Sequence, residues 1–301
     1  MNLPLHELAA LGAAACWAFT GTVVTDAVRA IGPFRFNLLR HIFAIVLLSA
    51  IVVFRTPSGL LDIDAGLVLI LSGVIGIFIG DTLNFAAVGR LGARRAGAIF
   101  ALNAPMAAIL GWAVLGEELS LQASIGVALT AAGVAIAIAG RPRANAHRFE
   151  QTEGIVITGI LFGLGAALGQ AVGALIARPV MEAGVDPYAA SLMRVAASGL
   201  CFGALGSLMM VGGFNGRQNA KLTAAVVLPA LATAVIGLGL GMTLVLYALV
   251  GGKVGIVSTL SATSPVLILP MLWLRTGQRP TAASWLGAAI ACTGMALIFL
   301  R

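Results

Sequence analysis

Charge is what this sequence has least of. Only 10% of its 301 residues are Asp, Glu, Lys or Arg, where a soluble domain carries about 25% to keep its surface wetted. The shortfall excludes a surface that faces water throughout, in a chain that is 60% hydrophobic with a mean hydropathy of +1.04. Cysteine is scarce as well. Cys16, Cys201 and Cys292 stand singly inside apolar runs, and without CxxC spacing neither a structural zinc nor a disulfide framework is expected. No GxxxxGK[ST] is present to cradle a nucleotide, so direct ATP drive is not expected. The formal charge of +7 comes from Lys and Arg scattered through short loops. With no basic stripe and no interleaved aromatics, no nucleic-acid partner is expected. Residues 1–7, MNLPLHE, lack the basic stretch of a cleavable signal, and the first apolar run is expected to be retained.

What the sequence has in abundance is uncharged length. Leu8–Thr25, Ala96–Gly116, Leu119–Gly140, Gly154–Ala177, Leu222–Gly252, Val254–Leu274 and Thr281–Leu300 carry no Asp, Glu, Lys or Arg. Each approximates the roughly 20 residues that cross a bilayer as helix. Three further runs are interrupted by charge: Phe36–Phe54 holds Arg40 and His41, Ala65–Val88 holds Asp81, and Pro187–Gly213 holds Arg194. An all-α integral membrane protein of about ten transmembrane helices follows, since the strand alternation of a β-barrel is missing. The 38 glycines fit the close packing of membrane helices.

The chain reads as a duplication. PFRFNLLR and PYAASLMR open predicted helices 2 and 7, each placing Arg seven residues after Pro: Arg40 and Arg194. GIFIGDTL in predicted helix 3 matches GLGLGMTL in predicted helix 8, aligning Gly76/Gly80 with Gly237/Gly241 and Asp81 with Met242. Pro105 matches Pro265, and Gly116, Gly126 and Gly133 match Gly277, Gly287 and Gly294. Residues 1–140 and 154–301 thus form two five-helix repeats, joined by the polar linker Arg141–Glu153. An odd helix count per copy inverts the second relative to the first, an arrangement that recurs in secondary transporters.

With its two five-helix halves and the run GDTLNFAAVGRLGARRAGAIFALNAPMAAILGWAVLGEELS, the sequence resembles the EamA-type exporters of the drug/metabolite transporter superfamily. The resemblance covers essentially the whole chain. It implies a central cavity between the halves and proton- or gradient-coupled export of small metabolites, often amino acids, with no cofactor. Sugar-phosphate and nucleotide-sugar exchangers belong to the same superfamily, so the substrate class stays open.

Asp81 is the one carboxylate inside a predicted span. Burying it ionised costs at least about 2.5–3.5 kcal/mol, and two readings stand. It is either a proton-coupling or substrate-ammonium site, or a structural group paired with Arg40 or Arg194 or capping a neighbouring helix. Its counterpart is Met242, which favours function, because a purely structural carboxylate would be expected in both copies. Arg40 and Arg194 recur in both copies and either snorkel and bond freed carbonyls or grip a carboxylate or phosphate. Asn84, one turn from Asp81, and Asn103, beside Pro105, are candidate substrate ligands or interhelical hydrogen-bond groups. Trp17, Thr20, Gln170 and Tyr247 are candidate cavity residues. His41 is read as solvated near an interface, and Glu117 with Glu118 as a solvated loop pair.

Counting Lys and Arg in loops gives twelve after the odd-numbered helices and four on the other side. The positive-inside rule places the basic loops, including Arg141–Glu153, in the cytoplasm and both termini outside. The family resemblance implies cytoplasmic termini instead. The reading is therefore a multi-pass protein of the cell (inner) membrane, monomer or homodimer, moving a small-molecule substrate with protons as a candidate coupling ion. A lipid flippase on the same fold is the alternative. A passive channel lacks its row of like polar residues, and an intramembrane enzyme lacks a second aspartate or a catalytic Ser/His arrangement, so no catalytic residue and no metal ligand are assigned.

Overall fold

Every regular element among the described residues is a helix, the form that satisfies its own backbone hydrogen bonds where no water is at hand. The computed structural model describes residues 4–24, 27, 30–55, 62–91, 93–139, 156–211, 222–276 and 281–299. The linker Arg141–Glu153 lies outside them. The first part contains α1 (Leu5–Val23), α2 (Pro33–Arg55), α3 (Ile63–Gly73), a π-helical stretch π1 (Val74–Ile79), α4 (Gly80–Leu91), α5 (Ala93–Phe100), α6 (Asn103–Leu115) and α7 (Leu121–Ala139). The second part contains α8 (Val156–Glu182), α9 (Pro187–Val211), α10 (Ala224–Thr233), π2 (Ala234–Gly241), α11 (Met242–Gly251), α12 (Val254–Ser261), α13 (Ser264–Thr276) and α14 (Ala282–Phe299).

Five stretches among the described residues are long and apolar enough to cross a membrane: Phe34–Arg55, Ile63–Asn84, Val156–Glu182, Pro187–Ser207 and Ala224–Gly251. Asn103–Leu115, Leu121–Ala137 and Ala282–Ile298 are shorter apolar helices. Two of the uncharged runs are broken rods. Residues 101–102 separate α5 from α6, and 262–263 separate α12 from α13. Pro105 and Pro265, just beyond the breaks, lack the N–H that would continue the ladder. Side chains take up a carbonyl at each break: Asn103 Nδ2 donates to Phe100 O at 2.7 Å, and Thr263 Oγ1 to Leu260 O at 2.6 Å.

Packing is inside-out relative to a soluble protein. Ala10, Ala13, Ala14 and Ala18 form a fully buried face of α1, whereas Phe54 and Leu274 are more than four-fifths exposed. With lipid as apolar as leucine, close approach of small residues drives helix association. A Cβ on Gly173 of α8 would lie 2.6 Å from the Cα of Gly76 in π1, so these backbones touch. In α7 and α14 the repeat glycines meet crosswise, Gly126 against Gly294 and Gly133 against Gly287. The two helices therefore run antiparallel.

A polar clamp joins sequence-distant elements at one end. Glu117, in the turn after α6, accepts from Arg178 Nε of α8 at 3.2 Å and, through Oε2, from the backbone N of Val254 at 2.7 Å. It thereby caps the first turn of α12, a position where an anion is favoured. Arg178 also reaches Glu182 at 3.2 Å, and Lys253 Nζ donates to the Glu118 carbonyl. The solvated reading of Glu117 is corrected: its side chain is 12% exposed, because α8 and α12 close over it.

The glycine contacts generate a paired test. Gly287→Ala puts a methyl 2.6 Å from the Gly133 carbonyl oxygen, and backbone there has no room to yield. It should cost about 1–3 kcal/mol. Gly203→Ala meets nothing within 4 Å and should be neutral or gain up to about 1 kcal/mol. Thermal unfolding of the purified protein checks both. Equal midpoints for the two variants would contradict backbone contact between α7 and α14.

Candidate functional site

The two π-helical stretches fall where the repeat places Gly76/Gly80 and Gly237/Gly241. A π turn widens the helix and marks functional positions more often than chance. Each leads straight into one of the two aligned residues, Asp81 in the first turn of α4 and Met242 at the start of α11. In each case the neighbouring arginine comes from the preceding long helix.

On the first side, Arg40 Nη2 of α2 donates to Asp81 Oδ2 at 2.8 Å, with side-chain exposures of 17% and 29%. Of the readings open for Asp81, the geometry realises the ion pair with Arg40. Pairing offsets much of the cost of taking each charge out of water. Arg40 Nε is buried with no partner, so the guanidinium is only partly satisfied. Asn84 is half-buried one turn along α4.

On the second side the same backbone holds a different chemistry. Arg194 of α9 is 2% exposed. Its Nη1 donates to the Met242 thioether sulfur at 3.5 Å, a weak acceptor, and its Nε is buried without a partner. Nη2 lies over Gly76, where a Cβ would stand 3.2 Å away. One turn back on α9, Ser191 Oγ and Thr243 Oγ1 lie 3.0 Å apart.

Helices from the opposite halves pack on both π stretches. Trp17 Nε1 donates to the Gly237 carbonyl in π2 at 3.3 Å, Thr20 Oγ1 donates to Trp17 O at 2.9 Å, and the Thr20 methyl group packs on Gly237. The backbone N of Gln170 in α8 lies beside Gly80, whereas the Trp17 side chain lies beside Gly241; Gln170 is half-buried. Asn103 belongs instead to the helix break described above. Tyr247 is set apart too. Its carbonyl faces His6 Nδ1 at 3.1 Å and its ring lies 5.2 Å from the His6 ring, near the start of α1. The structure thus brings Arg40 to Asp81 and Arg194 to Met242 and Gly76, with Trp17, Thr20 and Gln170 against the π stretches.

His41 is a second correction: it is fully buried, not solvated. Nδ1 donates to Asn37 O at 2.8 Å, which leaves Nε2 to accept from Ser198 Oγ at 3.2 Å, and the ring packs 5.1 Å from Phe202. The bond ties α2 to α9. Among the described residues no group of three or more His, Cys, Asp or Glu could hold a metal ion.

Comparison with known proteins places this geometry. The sequence model of the EamA-like transporter family matches residues 5–139 and again 157–300. An uncharacterized transporter of Archaeoglobus fulgidus is 31% identical over 132 residues, which is 44% of this chain and 48% of that protein. The chain therefore spans about half the length of that curated relative in the match. A solved crystal structure superposes with a TM-score of 0.77, covering 98% of this chain and 96% of the other at 18% identity, a likeness of fold. Two family matches that cover nearly the whole chain, over a bundle of apolar helices with many exposed large apolar side chains, identify a multi-pass membrane protein, and the chain belongs to the EamA-like transporter family of the drug/metabolite transporter superfamily.

Proposed function

We propose that the protein is a secondary active transporter, not an enzyme, that exports or exchanges small metabolites by alternating access. Residues 1–140 and 154–301 act as two inverted five-helix repeats around a central site. Support for the inversion comes from the crosswise, antiparallel contact of the repeat glycines in α7 and α14. Amino acids or related amphipathic compounds suit a site with both charge signs and apolar walls. The basic loops, with the Arg141–Glu153 linker, face the cytoplasm. A cysteine placed in that linker should stay unlabelled by an impermeant thiol reagent in intact cells and react after lysis. Labelling of intact cells would reverse the orientation.

The observation that carries the transport reading is the Arg40–Asp81 pair, held at a π turn in one repeat only. A carboxylate inside the membrane marks a functional site by default. Paired yet partly exposed, Asp81 can exchange its Arg40 partner for a proton or a substrate cation, and that exchange would make or release the tie between α2 and α4. Counterflow and gradient-driven uptake in liposomes, screened against amino acids, amines and phosphorylated sugars, test it. Asp81→Asn should fold, retain exchange and lose gradient-driven transport. If the pair is structural only, Asp81→Asn loses expression and Arg40→Gln in the same chain restores it. Normal gradient-driven transport by Asp81→Asn would exclude this carboxylate as the coupling group.

A further inference from the structure

A guanidinium with no anion is the least explained group in the bundle. Arg194 is fully charged under all ordinary conditions and 2% exposed. A buried charge is normally paired or coordinated. Arg40, its repeat counterpart, meets that rule through Asp81 at 2.8 Å, and Arg178 meets it through Glu117 at 3.2 Å. Arg194 does not: its polar contact among the described residues is a thioether at 3.5 Å, and Nε has none. Asp81 is the one acidic residue of α2, α4 and α9, and its carboxylate is taken up by Arg40.

We infer that Arg194 is the anchor for an oxyanion of the transported solute, a carboxylate or phosphate carried by a soluble molecule. This rests on the transporter reading and names the substrate class for the same site. A planar guanidinium presents a fork of donors that matches such a group bidentately, and here Nε and one Nη are without a strong acceptor. Gly76 sets no side chain between π1 and Nη2, and Met242, unbranched with a flexible thioether, is the side chain that an incoming oxyanion would displace from Nη1. One turn back on α9, Ser191 Oγ donates to Thr243 Oγ1 at 3.0 Å, which itself donates to Gly239 O at 2.6 Å, so these hydroxyls are satisfied without Arg194. Contacts from both halves, Gly76 on one side and Met242 on the other, bury the site away from lipid, which favours a soluble ligand over a headgroup.

The test uses the full-length protein in phosphatidylcholine nanodiscs, with thermal unfolding read in acetate, benzoate or inorganic phosphate against chloride at equal ionic strength. At least one oxyanion should raise the midpoint of the wild type. Arg194→Lys should keep a reduced shift and Arg194→Met should lose it. The ligand-free Arg194→Met protein should unfold at or above the wild-type midpoint, because an uncompensated buried charge has been removed. A drop in that midpoint would make Arg194 a structural contact and overturn the inference. So would a shift that survives in Arg194→Met, the lack of any oxyanion shift, or stabilisation seen only when phosphatidylglycerol replaces part of the phosphatidylcholine. Liposome counterflow separates the two proposals. Solute transport by wild type with no oxyanion response removes the anchor and leaves the transporter, whereas an Arg194-dependent shift with no solute transported does the reverse.

Discussion

Charge in an apolar bundle has to be answered locally, because lipid offers neither water nor counterion, and the pairing of Arg40 with Asp81 is the answer on which the rest of this structure turns. The pair ties α2 to α4 directly beyond π1. The second half repeats the arginine and the π turn but substitutes Met242 for the carboxylate. Two backbones of the same design therefore hold one neutral pair and one lone cation. That difference separates a charge already satisfied within the protein from one that a ligand must satisfy.

The packing that surrounds these charges combines small-residue contacts with an apolar core. Alanine and glycine line contacts among α1, α7, α8, π1, π2 and α14, so backbones approach closely there, while Leu48, Leu69, Leu246, Leu249 and Leu260 are fully buried in the core. Against that smooth interior the few polar ties stand out: the Glu117 clamp on Arg178 and Val254 at one end, and the His41–Ser198 bond between α2 and α9. Both link the first part of the chain to the second.

Much of this was legible in the residues. The helical membrane class follows from uncharged length alone, and the matched glycines Gly126, Gly133, Gly287 and Gly294 turn out to meet in pairs. Arg40 was among the partners open to Asp81, though sequence had no means of choosing it over Arg194. The uncharged runs overstated helix continuity, since Ala96–Gly116 and Val254–Leu274 each contain a break. What sequence could not reach was pairing across long separations. Glu117 and Arg178 are 61 residues apart, and a carboxylate in a short loop looks solvated until α8 and α12 are seen to close over it. His41 was misread for the same reason, its burial depending on Ser198 and Phe202 from a distant helix.

The central claim is that the two arginine sites beside the π stretches differ in one carboxylate, Asp81 against Met242, and the second site can be given one. The Oδ of an Asp at position 242 lies as many bonds from Cα as the Met242 sulfur that now faces Arg194 at 3.5 Å. Thermal unfolding of purified, ligand-free Met242→Asp should therefore show a midpoint above the wild type, because an existing buried cation gains a partner, while Asp81→Met should fall below it by stripping Arg40 of its own. A Met242→Asp protein that folds but unfolds below the wild-type midpoint would contradict the account, for it would mean that Arg194 is already satisfied where it lies.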